Sequence, residues 1–143
     1  MLKTLWHEYR NAANFDKIFP DLEVLFSNDY EFLVDLNIDL IYFVCKLFDI
    51  KVKFQLESNL SVKGEKTVRL AEICKKVKCN YYLVGSNHQL YADDYDFARR
   101  NIHIVKTDFI HPTYHQLHGE FIKNLSIIDL IFNYDGKFES LFR

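Results

Sequence analysis

Glycine and proline are scarce in this sequence. Four glycines and two prolines among 143 residues exclude a collagen-like repeat and argue against a disordered or low-complexity chain. The hydrophobic share is 49% and the aromatic share is 16%, which is typical of a folded globule with its own core. We therefore predict a single domain over residues 1–143, in which residues 1–14 form a leader of uncertain structure.

Cysteines and long apolar runs are also few. The three cysteines are Cys45, Cys74 and Cys79, and no C-x-x-C motif occurs. Because no signal sequence is recognisable, we expect reduced thiols and a cytoplasmic location. The longest apolar run, residues 38–48, is interrupted by charged side chains, so we expect no membrane span.

The usual catalytic signatures are absent. The sequence has no G-x-S-x-G elbow, no H-E-x-x-H motif and no glycine spacing of a P-loop or dinucleotide fold. His111, His115 and His118 are close enough in sequence to suggest zinc. However, Pro112 disfavours a helix there and no thiolate or carboxylate partner accompanies them. We predict no metal site and no cofactor.

Charge is small overall but unevenly distributed. The net charge of −2 gives no general attraction to nucleic acid or to a membrane. Residues 46–78 hold nine lysines and arginines against four acids. Lys66 and Arg69 lie at the start of a helix predicted over residues 65–78, where they suit a nucleotide phosphate or simply form a solvated basic face.

The hydrophobic pattern predicts an α/β fold. N-terminal helices are followed by a βαβαβ unit with a three-stranded parallel sheet and then by a C-terminal helix. The predicted strands are residues 50–56, 81–84 and 102–109, and the helices between them are residues 65–78 and 93–100. Ligands of such sheets bind beyond the carboxyl ends of the strands. We therefore expect the strand ends at Ser58–Asn59, Gly85–His88 (with Asn87) and Ile110–His111 to converge on one crevice.

The stretch Phe109–Gly136 contains most of the candidate chemistry. His111 is either a general base or a residue that closes the strand end, because imidazole exchanges protons near neutral pH. Tyr114 and Gln116 suit hydrogen bonds to sugar hydroxyls or phosphate, or alternatively tie the loop to the sheet.

A second pattern follows in the same stretch. Ser126 followed by Asp129 is a capping-box pattern that predicts a helix of about eight residues. Asp129 is either a capping residue or an acid, and the helix start at Ser126 is also suited to an anion.

The order of residues here resembles the C-terminal signature of the WbqC-like protein family. The residues that carry the resemblance are Pro112, Tyr114, Gln116, Phe121, Leu125–Leu130, Phe132, Asn133 and Gly136. A middle block resembles the family too: Gly64, Lys66, Thr67, Arg69, Leu70, Ile73 and Cys74. The N-terminal His-Gln-Pro block of the family is absent, so the chain looks like the C-terminal portion of a WbqC-like domain.

The resemblance implies a function in the biosynthesis of bacterial O-antigen or other surface polysaccharides. It implies a transferase that modifies a nucleotide-linked amino sugar by acyl or aminoacyl transfer. On this hypothesis His111 and Tyr114 are catalytic. The substrate-binding residues are Gln116, Ser126, Asp129, Asn87, Lys66 and Arg69.

The alternative hypothesis is a non-catalytic fragment or subunit. Such a chain would bind a sugar nucleotide, a second copy of itself or a separate N-terminal half, because the missing block would leave a sheet edge and an apolar face uncovered.

Overall fold

The structure is a computed structural model that describes residues 1–85, 94–138 and 141. Within these residues the chain forms two compact units. The first, here called the helical unit, comprises Met1–Val52 and His111–Arg143. The second, here called the sheet unit, comprises Lys53–Ile110.

The helical unit contains four of the helices. They are α1 (Leu2–Tyr9), α2 (Phe15–Ser27), α3 (Leu33–Leu47) and α6 (Ile127–Asn133). The leader expected over residues 1–14 thus begins with a regular helix. The predicted helical stripe before Asp49 forms α3, whose Leu40, Phe43 and Leu47 pack against the core of this unit.

The core of the helical unit lies where α2 meets α6. Ile18 and Leu22, one turn apart on α2, are fully buried, as are Ile131 and Phe132 on α6. The ring of Phe132 stacks on Tyr9 of α1 at a centroid distance of 4.8 Å. Truncating an aromatic side chain in such a core typically costs about 3–5 kcal/mol, so Phe132 is a main anchor of α6.

The sheet unit contains a small parallel sheet. Strands β1 (Tyr81–Val84) and β2 (His103–Lys106) pair in parallel, and Tyr81 is opposite His103. Helix α4 (Lys66–Lys76) precedes β1, and α5 (Asp94–Ala98) lies between the strands. The buried core of this unit is Ala71, Cys74, Phe97 and Ile102.

An ion pair connects the two helices of the sheet unit. The Nε atom of Arg100 donates to Glu72 at 2.7 Å, and its Nη1 atom donates to the Asp96 backbone at 2.8 Å. The guanidinium lowers the pKa of the Glu72 carboxyl, and the same carboxylate raises the pKa of Arg100. Arg100 therefore fastens the short helix α5 onto α4.

The predicted first strand over residues 50–56 is wrong. In the described part of the chain the sheet has two strands, and these residues are irregular up to a 3-10 turn at Glu57–Leu60. Their alternating apolar side chains are 41–52% exposed. An alternating pattern forms a strand only when a neighbour pairs with its backbone and one face is covered, and here this segment passes from one unit to the other.

Without a strand over residues 50–56, one of the three expected strand ends is missing. Ser58 and Asn59 lie in the 3-10 turn, not after a strand. Asn87 lies outside the described residues. The α/β class is confirmed in a coarser form. The two strands pair in parallel, and helices precede and follow them along the chain. Among the described residues, no helix is long and apolar enough to cross a membrane.

Candidate ligand site around Asp129

Helix α6 begins as the sequence predicts. Ser126 is its N-cap: the Oγ atom accepts a hydrogen bond from the Ile128 N–H at 3.3 Å. The backbone oxygen of Ser126 accepts from the Asp129 N–H at 2.9 Å. The carboxylate of Asp129 does not complete the capping box among the described residues. It turns into the protein, where Asp129 is only 6% exposed.

Four side chains donate hydrogen bonds to this buried carboxylate. Tyr114 and Gln116 each donate to Oδ2 at 2.8 Å. Tyr9 donates to Oδ1 at 3.1 Å, and Asn133 donates to the same oxygen at 3.0 Å. We call Asp129 and these four residues the Asp129 hub. Its members come from α1, α6 and the loop between the sheet unit and α6.

All four donors of the hub are neutral side chains. A buried carboxylate is costly unless its lone pairs are filled, and four donors fill the usual capacity of two oxygens. Burial and the neighbouring Asp129 carboxylate raise the pKa of Tyr9 to about 12. Burial and the hydrogen bond to Asp129 raise the pKa of Tyr114 to about 12 as well. Both phenols therefore stay protonated, and remain donors, at neutral pH.

Gln116 also fixes the loop that precedes α6. Its Oε1 atom accepts from the Ile122 N–H at 2.8 Å, and its Nε2 atom donates to the Ile122 carbonyl at 3.0 Å. Both hydrogens of the amide are thus engaged, one by Ile122 and one by Asp129. Gln116 thus ties the loop to the hub, whereas the structural alternative drawn from the sequence was a tie between the loop and the sheet.

A cavity of about 190 Å³ borders the hub. The hub residues that line it are Tyr9, Gln116, Asp129 and Asn133. The other lining residues are Glu8, Leu117, His118, Ile122 and Leu125. The lining therefore combines hydrogen-bonding side chains with three aliphatic ones, which is the usual make-up of a small-molecule site.

The family model of the WbqC-like protein family matches residues 1–138. The chain belongs to this family. A similar curated protein is the uncharacterized protein Rv1507c of Mycobacterium tuberculosis, which is 28% identical over 133 residues. The match covers 92% of this chain and 58% of Rv1507c, so the chain spans little more than half the length of that relative. No solved structure shows a significant match.

His111 of this WbqC-like chain lies near the hub but outside the cavity lining. Its ring centroid is 6.3 Å from that of Tyr114 and 5.7 Å from that of Phe121. The Nδ1 atom is 2.8 Å from the Pro112 carbonyl, so this nitrogen carries the hydrogen and donates to that oxygen. His111 thus packs against the Tyr114 ring. Its contacts with Tyr114, Phe121 and the Pro112 carbonyl fit a structural role as well as a catalytic one.

The other two histidines of the loop are exposed. His118 lines the cavity, with Nε2 at 3.9 Å from a carboxylate oxygen of Glu8. His115 is exposed elsewhere in the loop. In the described part of the chain, no group of three His, Cys, Asp or Glu side chains is placed to hold a metal ion.

The predicted phosphate contacts belong to the sheet unit. Lys66 is the first residue of α4, and Arg69 is one turn further on. The Nη2 atom of Arg69 lies 2.6 Å from Glu57, and its Nε atom donates to the same carboxylate at 2.8 Å. Arg69 is therefore already engaged by an acid, whereas Lys66 is exposed.

Sequence reasoning missed three residues of the site. Asn133 follows Asp129 by one helical turn, so the spacing of α6 contained a usable signal. Tyr9 lies 120 residues before Asp129, and no local pattern connects the two. Glu8 was missed for the same reason, because the N-terminal residues carry no motif.

Proposed function

We propose that this WbqC-like protein binds a nucleotide-linked amino sugar, with the sugar seated in the cavity beside the Asp129 hub. The observation that carries the proposal is the cavity itself, whose lining combines oriented polar side chains with aliphatic ones. A sugar ring needs both, since its hydroxyls seek hydrogen bonds while its carbon face packs on apolar groups. The family resemblance supplies the substrate class, which is a nucleotide-linked amino sugar used in the biosynthesis of surface polysaccharides.

Size limits what this cavity takes. Its volume is about 190 Å³, whereas pockets that enclose a drug-sized molecule measure about 300–1,000 Å³. The proposal therefore places only the sugar here and leaves the nucleotide outside the cavity. Phosphate binding by Lys66 and Arg69 is a separate proposal within the sheet unit, and Arg69 would have to give up Glu57 to make that contact.

Within the proposed acyl or aminoacyl transfer, two residues have different tasks. Tyr114 is a positioning residue, because its hydroxyl donates to Asp129. Its raised pKa also keeps the phenol protonated at neutral pH, so it is not available as a base. Proton transfer by His111 stays part of the proposal, although its ring lies outside the cavity lining and packs against Tyr114. Ser126 caps α6, the helix that contains Asp129.

Thermal unfolding tests the binding step. We expect UDP-glucosamine or another nucleotide-linked amino sugar to raise the midpoint, while the plain nucleotide at equal concentration raises it less. A ligand that binds only the folded state stabilises it by about 2.7 kcal/mol at a hundredfold excess over its dissociation constant. A chain that melts cooperatively and responds to no member of such a panel would refute the proposal.

The role of His111 has its own test. His111→Gln should abolish turnover of a bound sugar nucleotide while its binding persists. His115→Gln is the matched control, because His115 is exposed in the same loop. Retained turnover in His111→Gln would remove His111 from the chemistry without affecting the binding proposal.

A second candidate function, a subunit that binds a partner chain, is favoured by the outward face of β1. Tyr81 and Leu83 are 64% and 66% exposed, while Val84 on the other face is buried. Sedimentation of the purified chain should then show self-association, and Leu83→Lys should weaken it. Val24→Lys is the control, because Val24 is similarly exposed on α2. A monomer at all concentrations, unchanged by Leu83→Lys, would contradict self-association.

A further inference from the structure

The hub consumes hydrogen-bond donors and leaves acceptors at the cavity. The amide hydrogens of Gln116 go to Asp129 and to the Ile122 carbonyl. The Nδ2 atom of Asn133 donates to the carboxylate and to the backbone oxygen of Asp129, both at 3.0 Å. The hydroxyl hydrogen of Tyr9 is directed to Asp129 as well. These three lining residues therefore offer a ligand no free side-chain donor.

One hydrogen-bond acceptor among the lining residues, the Oδ1 atom of Asn133, is unused within the described part of the chain. Asn133 is buried, at 5% exposure, and lines the cavity. Its Oδ1 atom accepts no hydrogen bond from any described residue. Every fully buried side-chain polar atom of the described residues has a partner, so this oxygen must be open to accessible space. Because Asn133 lines the cavity, we take that space to be the cavity.

The charge at the cavity has one sign. Two carboxylates line it, from Glu8 and Asp129, and no lysine or arginine is among its described lining residues. The Asp129 carboxylate is already filled by four donors, so Glu8 at the end of α1 is the acid that remains for a ligand. The nearby imidazole of His118 lies 3.9 Å away and is largely exposed.

We infer that the cavity beside the Asp129 hub recognises a free primary amine, held by the Glu8 carboxylate and the Oδ1 atom of Asn133. An ammonium group supplies three donors and a positive charge, which is what acceptors beside a carboxylate select. An acetamido group is uncharged and keeps a single N–H donor, and its added carbonyl finds no free donor on Gln116, Asn133 or Tyr9.

This inference rests on the proposed function and narrows it. The sugar that enters the cavity carries an unacylated amine, and an acylated product loses its charge and its hold on Glu8. The aliphatic lining residues Leu117, Ile122 and Leu125 then contact the carbon face of the ring. The reaction that supplies this substrate must therefore generate a free amine on the sugar.

NMR titration with three free sugars tests the inference. Glucosamine, N-acetylglucosamine and glucose differ at one ring position, and none carries a nucleotide. We expect glucosamine to bind about tenfold tighter than either of the others, the usual worth of a hydrogen bond to a charged group. Glu8→Gln should remove most of this preference. Glu31→Gln is the matched control, because Glu31 is an exposed acid of the same unit that does not line the cavity.

The outcomes separate the two claims. Equal affinity for glucosamine and N-acetylglucosamine overturns the amine inference, and so does a preference that survives Glu8→Gln. If nucleotide-linked sugars still raise the unfolding midpoint in that case, the proposed function stands alone. If no sugar binds in either form, both claims fail.

Discussion

Asp129 is a charged residue that the helical unit buries, and its partners among the described residues are all neutral. Its partners are two phenols and two amides at 2.8–3.1 Å. Oriented dipoles replace water here, and each donor is itself positioned by its own element. Leaving any of these buried donors without an acceptor lowers the stability of the fold. We therefore expect even an isosteric substitution in the hub, which preserves side-chain shape, to be destabilising.

The substitution Asp129→Asn tests this sensitivity. The amide has one acceptor oxygen in place of two and presents an NH₂ group to donors, so at least two hub donors lose their acceptor. We expect a destabilisation of about 1–3 kcal/mol for each donor left unpaired. Urea unfolding followed by the fluorescence of Trp6, the sole tryptophan, reports on the helical unit.

Asp135→Asn is the control for this substitution, because Asp135 is exposed two residues beyond α6. Its unfolding midpoint should equal that of the unsubstituted chain. Equal stability of Asp129→Asn and Asp135→Asn would show that the hub contributes little to the fold.

The two tyrosines of the hub give a pH dependence. Their pKa is raised in the folded state from 10.0 to about 12, so the folded state holds these protons more tightly than the unfolded state. Their contribution to stability is complete below pH 10 and is lost as the pH rises through about 12. The double substitution Tyr9→Phe with Tyr114→Phe should flatten this alkaline loss, measured as urea midpoints across that window.

Tyr81→Phe is a suitable comparison for the alkaline series, because Tyr81 is exposed in the sheet unit. It should leave the slope of stability against pH unchanged. A double variant with the same slope as the unsubstituted chain would contradict the raised pKa values.

At the scale of elements, Asn14 donates hydrogen bonds to three carbonyls at the end of α6. The Nδ2 atom of Asn14 donates to the Ile131 carbonyl at 3.1 Å and also to the carbonyl of Tyr134. Its own N–H donates to the Phe132 carbonyl at 2.9 Å. The last carbonyls of a helix have no partner within the helix, so Asn14 satisfies groups that α6 cannot.

Asn14→Ala should therefore loosen the end of α6 and the start of α2 together. We expect a loss of about 1–3 kcal/mol, because two carbonyls lose their side-chain donor in a partly buried place. Asn11→Ala is the control, since Asn11 is exposed in the preceding turn. Thermal unfolding by circular dichroism compares the two, and equal midpoints would show that water replaces Asn14 at little cost.

Local patterns predicted some elements well and failed on others. Residues 81–84 form β1 as expected, and α4 falls within the predicted helix. Ser126 caps α6 because capping is a local interaction that three or four residues specify. The strand over residues 50–56 failed because pairing depends on a distant neighbour, which an alternating pattern does not reveal. β2 is likewise shorter than the predicted residues 102–109.

At the scale of the whole molecule, the hub is a long-range assembly. It joins Tyr9 to Asn133, and the sequence offered only its C-terminal half. Tyr114, Gln116 and Asp129 were singled out by position in a recognisable pattern, and the structure brings these three together. Lys66 and Arg69 lie in the other unit. The family itself was predicted from the sequence and is confirmed over residues 1–138.

The most direct measurement is an NMR chemical-shift titration of the full chain with UDP-glucosamine. We expect saturable shifts for amides around the cavity, with Leu117, Ile122 and Asn133 among the largest. The plain nucleotide should leave these amides unchanged. Shifts confined to residues of the sheet unit, or no saturable shift at all, would contradict a sugar site at the Asp129 hub.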